Sequence, residues 1–474
     1  MSILAAGPFL DWEEMTGQSK FIVDLVSVPI FSAIAGLITN WTGVLMLFAP
    51  VNFSGFYTPG LKSIYPFFPR KVQILPVFAP GGILGFQGFI PARAEKMAAI
   101  CCDKAILKIG SIKDIFQELD PEGIADHVAD IAKNDLRGLV DEVMEQEHPD
   151  LWHDLAPQMR EVLYKRIDDE LPAISRKAFV QIGDNVDQLI DIKLLVVGFL
   201  RKNPKILKEI IQGLGGPELK FMVWIGLLGF PMGIFLALWL TFVHYSSDHV
   251  KHAHEQDPNA FFISLPSWLS SIVHFLPPWL WVVGGAAVIG VIVNIIAIKM
   301  VFEPGEPQPR YKYLWKQAKF AKRQHEAAGD FGHALAYQVL TLGNIANELL
   351  NGPRGDKTQR LIQAVLAEEV SRILGPMKSM LRVAVGAREF DSILTGSGGA
   401  ALDMAPKLMD DTEFNKVQSE KIDKFATQKL REMAPADFME MLYAAIEQDA
   451  WLLYLHGGLL GVVVGAVHLL IFGA

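Results

Sequence analysis

The string Gly36-Leu-Ile-Thr-Asn-Trp-Thr-Gly-Val-Leu-Met-Leu-Phe-Ala-Pro50 constrains this chain most, because it returns as Gly290-Val-Ile-Val-Asn-Ile-Ile-Ala-Ile-Lys-Met-Val-Phe-Glu-Pro304. Gly36 and Gly290, Asn40 and Asn294, Met46 and Met300, Phe48 and Phe302, and Pro50 and Pro304 fall in the same register. Each string ends a long apolar run. An asparagine there is costly against lipid, so the run must be a helix whose amide points into a bundle or bonds neighbouring backbone. The likeness continues downstream. Gln87-Gly88-Phe-Ile-Pro91-Ala-Arg93 can be laid over Gln317 to Arg323, and Ile109-Gly-Ser-Ile112 over Leu342-Gly-Asn-Ile345. Gly226-Leu-Leu-Gly229 with Gly233 answers Gly458-Leu-Leu-Gly461 with Gly465. Recurrence of this kind reads as an internal tandem duplication.

Composition fixes the environment. In 474 residues, 51% are hydrophobic and mean hydropathy is +0.27, yet 20% are charged. Membrane spans must therefore alternate with aqueous segments. A net charge of -9 argues against nucleic-acid binding, which needs a basic face. The two cysteines, Cys101 and Cys102, are adjacent and badly placed for an ordinary disulfide, which fits a reducing compartment. The first twenty residues hold Asp11, Glu13 and Glu14 and only one lysine, Lys20, so they lack the basic start of a cleaved signal peptide.

Read in order, residues 1–20 form a tail and 21–243 a first repeat: a span at 21–48, a collar at 50–91, soluble helices at 92–217 and a span at 221–242. A connector at 244–278 leads to a second repeat at 279–474, with a span at 279–302, a collar at 304–325, soluble helices at 326–449 and a span at 451–472. The expected fold is all-α: an integral membrane protein with four transmembrane helices and two large soluble helical segments. In the soluble segments, Ile124, Val128, Ile131, Leu139 and Val143, then Leu155, Met159, Val162, Leu163, Ile167 and Leu171, recur at helical spacing. The first collar is crowded with Pro and Gly, so no long regular element is expected there, and strand signals are nearly absent. Its Phe67, Phe68, Phe78 and Phe86, with Lys62, Arg70 and Lys71, suit the headgroup zone. Gly82-Ile-Leu-Gly85-Phe-Gln-Gly88 lacks the Lys-Ser/Thr of a phosphate loop. A loose interruption is expected at Thr395-Gly-Ser-Gly-Gly399. Gly229 and Gly233, and Gly461 and Gly465, have the small-xxx-small spacing that lets helices approach closely.

Basic residues flank the large helical segments: Lys62, Arg70 and Lys71; Arg201, Lys202, Lys205 and Lys208; and a cluster of Arg310, Lys312, Lys316, Lys319, Lys322 and Arg323. The tail and connector are not basic, so both helical segments are expected on the cytoplasmic side. The connector holds His244, His249, His252 and His254. Of these, His249, His252 and His254 are weak candidates for a metal, because their spacing matches no standard zinc motif. Histidine also titrates near neutrality, which leaves a pH-sensing role open for this cluster.

The Asn-containing span ending Met-x-Phe-x-Pro, followed by Gln-Gly-Phe-Ile-Pro-x-Arg, resembles the bacterial membrane-protein family called domain of unknown function 445, in two tandem copies. Pro50, Gly88, Ile90, Pro91 and Arg93 stand where that motif expects them. The second copy departs from it at Ala318, Phe320 and Ala321, in place of Gly, Ile and Pro. The resemblance implies a multi-pass protein of the bacterial inner membrane and carries no biochemical activity. No Ser-His-Asp grouping, kinase signature or cofactor fingerprint is present, so neither an enzyme nor a cofactor is expected. The leading expectation is a membrane-anchored helical scaffold, with the bilayer, protein partners or a second copy as its contacts. The alternative is a transporter or lipid conduit built from two repeats around buried asparagines.

Overall fold

A computed structural model of the chain describes residues 15, 17–57, 82–106, 109–147, 149–256, 261–309, 315–375, 411–447 and 450–473. The collar residues 58–81, Arg310, Lys312 and the Thr395–Gly399 stretch lie outside the described residues, as does the side chain of His249. Two compact units form, each drawing on both halves of the sequence. One comprises Met1–Ala94, Leu207–Gln324 and Ala434–Ala474; the other comprises Glu95–Ile206 and His325–Met433.

The first unit holds four helices long and apolar enough to cross a membrane: Lys20–Phe48 (span 1), Pro204–Tyr245 (span 2), Pro278–Phe302 (span 3) and Ala450–Phe472 (span 4). Span 1 is polar inside and apolar outside. Asp24, Ser27, Ser32, Gly36, Thr39, Asn40 and Gly43 are buried, whereas Ile22, Val26, Ile30, Ile34, Ile38 and Leu45 form an exposed stripe at helical spacing. That reverses the order expected in water and suits a lipid surround, where small and polar residues make the helix contacts. Span 1 touches spans 2, 3 and 4, and span 3 touches spans 2 and 4. Val28, Ala237, Leu240, Val282 and Leu469, drawn from all four, form a common core.

Span 2 starts well before the apolar run at 221. Helix Pro204–Ile225 passes directly into a 3-10 turn, Gly226–Leu228, and then into helix Gly229–Tyr245. Pro204 opens the helix, where a missing N–H costs nothing. Pro217 lies inside it without ending it. Nearby, Arg323 Nη2 donates to the Leu214 carbonyl at 3.2 Å, next to the Gly213 carbonyl whose usual i+4 donor Pro217 lacks.

Glycine sets the crossings of span 1 with span 2 and of span 3 with span 4. A Cβ at Gly36 would strike the Gly226 carbonyl, and one at Gly290 would strike that of Gly457. Higher up, a Cβ at Gly229 would lie 2.7 Å from Ser32 C, and one at Gly461 2.7 Å from Ala287 Cα and closer still to Ala286 O. Gly233 and Gly465 abut Pro29 Cα (2.6 Å) and Val283 Cα (2.9 Å) in the same way. These pairs correct the register read from sequence, because the counterpart of Gly226 is Gly457 and not Gly458. Span 2 has one residue fewer than span 4 between its lower and middle contacts. The 3-10 turn absorbs the difference, since it advances farther per residue than an α-helix.

The collar is not wholly irregular. Ser54–Tyr57 and Gly82–Phe86 pair antiparallel, with an irregularity between Phe56 and Tyr57; they are the only strands among the described residues. Glycines at 82 and 85 mask the alternation by which a strand is recognised.

The second unit is helical, with Ile106, Ile115, Leu119, Ile124, Val186, Leu340, Ile345, Ile422 and Leu430 fully buried in it. Ser111 caps helix Ile112–Glu118 through Asp114 N, and Thr341 caps helix Leu342–Asn351 through Asn344 N. The caps therefore pair Ile112, rather than Ile109, with Leu342. π-helical turns occur at Cys102–Ile106 and Leu335–Val339, and Asn344 Nδ2 bonds the Val339 carbonyl at 2.9 Å. Helices Pro121–Glu147 and Pro157–Leu189 form a long hairpin joined by Arg176–Asp126, Arg137–Glu161 and Tyr164–Asp141 bonds. Glu369, buried in helix Gly355–Leu374, accepts from Lys177 Nζ and Arg372 Nε, both at 2.6 Å.

Two predictions follow from this packing. Inserting one alanine after Leu227 should let the 3-10 turn relax to the α-helical spacing of span 4 and leave the detergent melting temperature within about 3 °C of wild type. The same insertion after Leu459, where the turn is already α-helical, should misplace Gly461 and Gly465 and cause aggregation on size exclusion. Equal tolerance at both sites would refute the register.

Hydrogen bonds from Lys177 and Arg372 hold the Glu369 carboxyl below the usual glutamate range. The unfolded chain thus takes up this proton more readily. The stabilisation is complete above about pH 4.5 and is lost as pH falls through the lower folded value. Glu369→Gln should lower the melting temperature at pH 7 by roughly 2–5 °C. It should also narrow the gap between pH 7 and pH 3, as followed by circular dichroism.

Candidate functional site

The two asparagines make the same bond. Asn40 Nδ2 donates to the Met222 carbonyl at 2.6 Å, and Asn294 Nδ2 donates to the Leu453 carbonyl at 2.6 Å. Both side chains are buried, and each ties the entering span of a half to its returning span. Contacts of this type contribute roughly 0.6–2 kcal/mol within a membrane.

At the end of span 1 the collar folds back on itself. Gly88 N donates to the Pro50 carbonyl at 2.9 Å and Gln87 Nε2 to the Val51 carbonyl at 2.7 Å. A Cβ on Gly88 would lie 2.8 Å from Ala49 N. Phe89, Ile90 and Pro91 are buried beyond it, and Arg93 is half-buried. The second collar makes the corresponding bonds despite its departures from the motif. Ala318 N donates to the Pro304 carbonyl at 2.9 Å, and Gln317 Nε2 to the Gly305 carbonyl at 3.0 Å. Its Arg323 then pairs with Glu218 of span 2 at 2.7 Å, the carboxylate side chain being 3% exposed.

Spans 1 and 4 meet along a polar seam that the sequence reading did not identify. At its upper end Lys20 Nζ donates to Asp24 Oδ1 at 2.8 Å and to the Phe472 and Gly473 carbonyls. Ser27 Oγ lies 3.0 Å from His468 Nε2, and the His468 ring is enclosed by Phe31 and Phe472. His468 is 3% exposed, and its Nδ1 has no hydrogen-bond partner among the described residues. At the lower end Thr42 Oγ1 lies 2.9 Å from His456 Nε2 and donates to the Ile38 carbonyl at 2.7 Å.

Between the two levels sits a cavity of about 20 Å³, lined by all four spans and including Phe31, Ser32, Ala35, Thr39, Val464 and His468. That volume holds about one water.

The seam between spans 3 and 2 occupies the corresponding place and is apolar apart from Trp281 Nε1, which donates to the Val273 carbonyl at 3.3 Å. The crossings already described put Trp281 where Ser27 stands, Leu236 where His468 stands, and Ile296 and Ile225 where Thr42 and His456 stand. Leu236 packs against Gly285 as His468 packs against Phe31. Aligning the two halves and asking where a hydroxyl faces a bulky apolar residue would have found the difference.

The remaining sequence candidates lie elsewhere. His252 is exposed and 3.2 Å from Glu255, and the ring of His254 lies against Phe262. Burial pushes the Cys101 thiol up to about 11 and the Cys102 thiol up to about 12. Both are therefore poor nucleophiles and poor metal ligands near neutral pH.

No family model matches the chain, and no solved structure matches it. A curated relative is the UPF0754 membrane protein of Staphylococcus haemolyticus (strain JCSC1435), 28% identical over 171 residues. The match covers 36% of this chain and 42% of the relative, so the chain spans under half of that relative's length. With the four apolar helices, this likeness supports a bacterial multi-pass membrane protein.

Proposed function

We propose that the protein is a non-enzymatic, membrane-anchored scaffold of the cytoplasmic membrane, built by tandem duplication, whose helical unit faces the cytoplasm and receives protein partners. The 121–189 hairpin carries this reading. Helix Pro157–Leu189 has 33 residues, about 50 Å of rigid surface. Met159, Val162 and Val180 are half or more exposed along it. Between 121 and 170 there are fourteen acidic and five basic residues. Such a surface is repelled by anionic lipid and suits a protein with a basic face. The small cavity of the bundle counts against passage of a lipid chain, a hydrated ion or an organic solute through it.

Two experiments test the proposal. A photo-crosslinking residue at Val162 in cells should give discrete protein adducts that vanish when four of the acidic residues at the tip are neutralised. Lipid adducts alone would overturn it. For orientation, an engineered cysteine in the 244–278 connector should react with an impermeant maleimide added outside, and one at Val140 should not. The reverse labelling pattern would invert the topology.

A further inference from the structure

We propose that the seam between spans 1 and 4 is a gated proton path. The inference rests on the seam and is independent of the scaffold reading. Spans 2 and 3 pack against the common core with Trp281 and Leu236 at the positions equivalent to Ser27 and His468, so packing alone does not call for a hydroxyl and a histidine there. Ionisable groups inside a membrane bundle are costly, and they are retained where polar traffic uses them.

The geometry suits the smallest cargo. A cavity with room for about one water excludes a hydrated metal ion or an organic solute but not a proton passed between bonded groups. Each imidazole can take a proton on one ring nitrogen and release one from the other, which leaves the ring neutral once it resets. His468 presents Nε2 to Ser27 and keeps an unbonded Nδ1 on a side chain that lines the cavity. Thr39 lines the same cavity, its carbonyl lies 3.1 Å from Thr42 Oγ1, and Thr42 reaches His456. Around His468, span 1 supplies Lys20, Asp24 and Ser27, whereas spans 2 and 3 line the cavity with Leu236, Val282, Ala286 and Ile289.

The two histidines are twelve residues apart on span 4, about 18 Å along the helix. Phe31, Ala35 and Val464 occupy the stretch between them, and with the neighbouring Gly461 and Gly465 they make its surface almost wholly apolar beside the Ser32 and Thr39 hydroxyls. Apolar constrictions of this sort close by excluding water and open when they are wetted. In the state described, the path is shut at that level, with polar groups waiting above and below.

The test uses the full-length protein in phosphatidylethanolamine–phosphatidylglycerol vesicles, with an imposed pH gradient, potassium and valinomycin to clamp the voltage, and an internal pH dye. Ala35→Ser adds a hydroxyl to the apolar stretch and should raise proton flux above that of protein-free vesicles. His468→Leu with His456→Ile, the residues used by the apolar seam, should return the flux of the Ala35→Ser protein to the protein-free rate. Ser27→Ala and Thr42→Val, which change little bulk, should reduce it in the same direction if the histidine variant folds poorly. The proposal fails if wild type and Ala35→Ser both leak no faster than empty vesicles, if the histidine replacements leave the flux intact, or if sodium passes alongside.

Discussion

The near-contact of backbone on backbone at Gly36 with Gly226, and at Gly290 with Gly457, governs the rest of the membrane unit. Lipid tails are as apolar as leucine, so two spans gain nothing by hiding hydrocarbon from each other and must be held by close packing and interhelical hydrogen bonds. The glycines supply the first and thereby permit the second. Only at such a short separation can Asn40 and Asn294 reach across to the carbonyls of Met222 and Leu453. Each asparagine lies one helical turn past its glycine. The strings that bear these residues end at Pro50 and Pro304, whose carbonyls begin the two collars. Crossing, amide clasp and collar thus form one continuous construction, made twice.

Much of this was legible in the sequence, and the failures have physical causes. The repeated strings named both asparagines and both prolines, and the runs of apolar residues placed three of the spans within a residue or so. The fourth, span 2, begins at Pro204 because an amphipathic helix leads into the apolar run with no change of period at the boundary. Alignment by letter paired Gly226 with Gly458, since Gly-Leu-Leu-Gly occurs in both; a 3-10 turn shifts the true partner by one, and nothing in the letters marks it. The second string departs from the motif at Ala318, Phe320 and Ala321, yet the bonds that close the collar there are made by backbone N–H and by Gln317. Side chains change at such positions while the loop persists. The cross-strand pairing of Ser54–Tyr57 with Gly82–Phe86 depends on two distant segments and had no local period to betray it. His456 and His468 escaped notice because each stands alone in an apolar run, and the contrast that makes them informative exists only once the two seams are compared in space.

Charge placement separates structure from chemistry in this unit. The Arg323–Glu218 pair is buried, and its desolvation offsets much of its attraction, so it is better understood as fixing where the second collar meets span 2 than as a source of net stability. Lys20 serves the end of span 4 in a simpler manner, with a cation on carbonyls that the helix leaves unbonded. His274 does similar work at the end of span 2, lying 3.2 Å from the Val243 carbonyl. Those groups have counterparts or plain structural duties.

Ser27–His468 and Thr42–His456 have no polar counterpart in the seam between spans 2 and 3. They sit at the two ends of one seam, on the same pair of helices, and in the corresponding seam tryptophan and leucine pack at the place of Ser27 and His468. The hydroxyl–imidazole pairs join spans 1 and 4 as the amides join the other crossings, but the unbonded Nδ1 of His468 adds a cost with no structural return. A symmetric fold that carries an asymmetric cost is most simply understood if the costly side has work to do. The apolar stretch at Phe31, Ala35 and Val464 is then part of that work, since a polar seam without a break would leak whenever the membrane was energised.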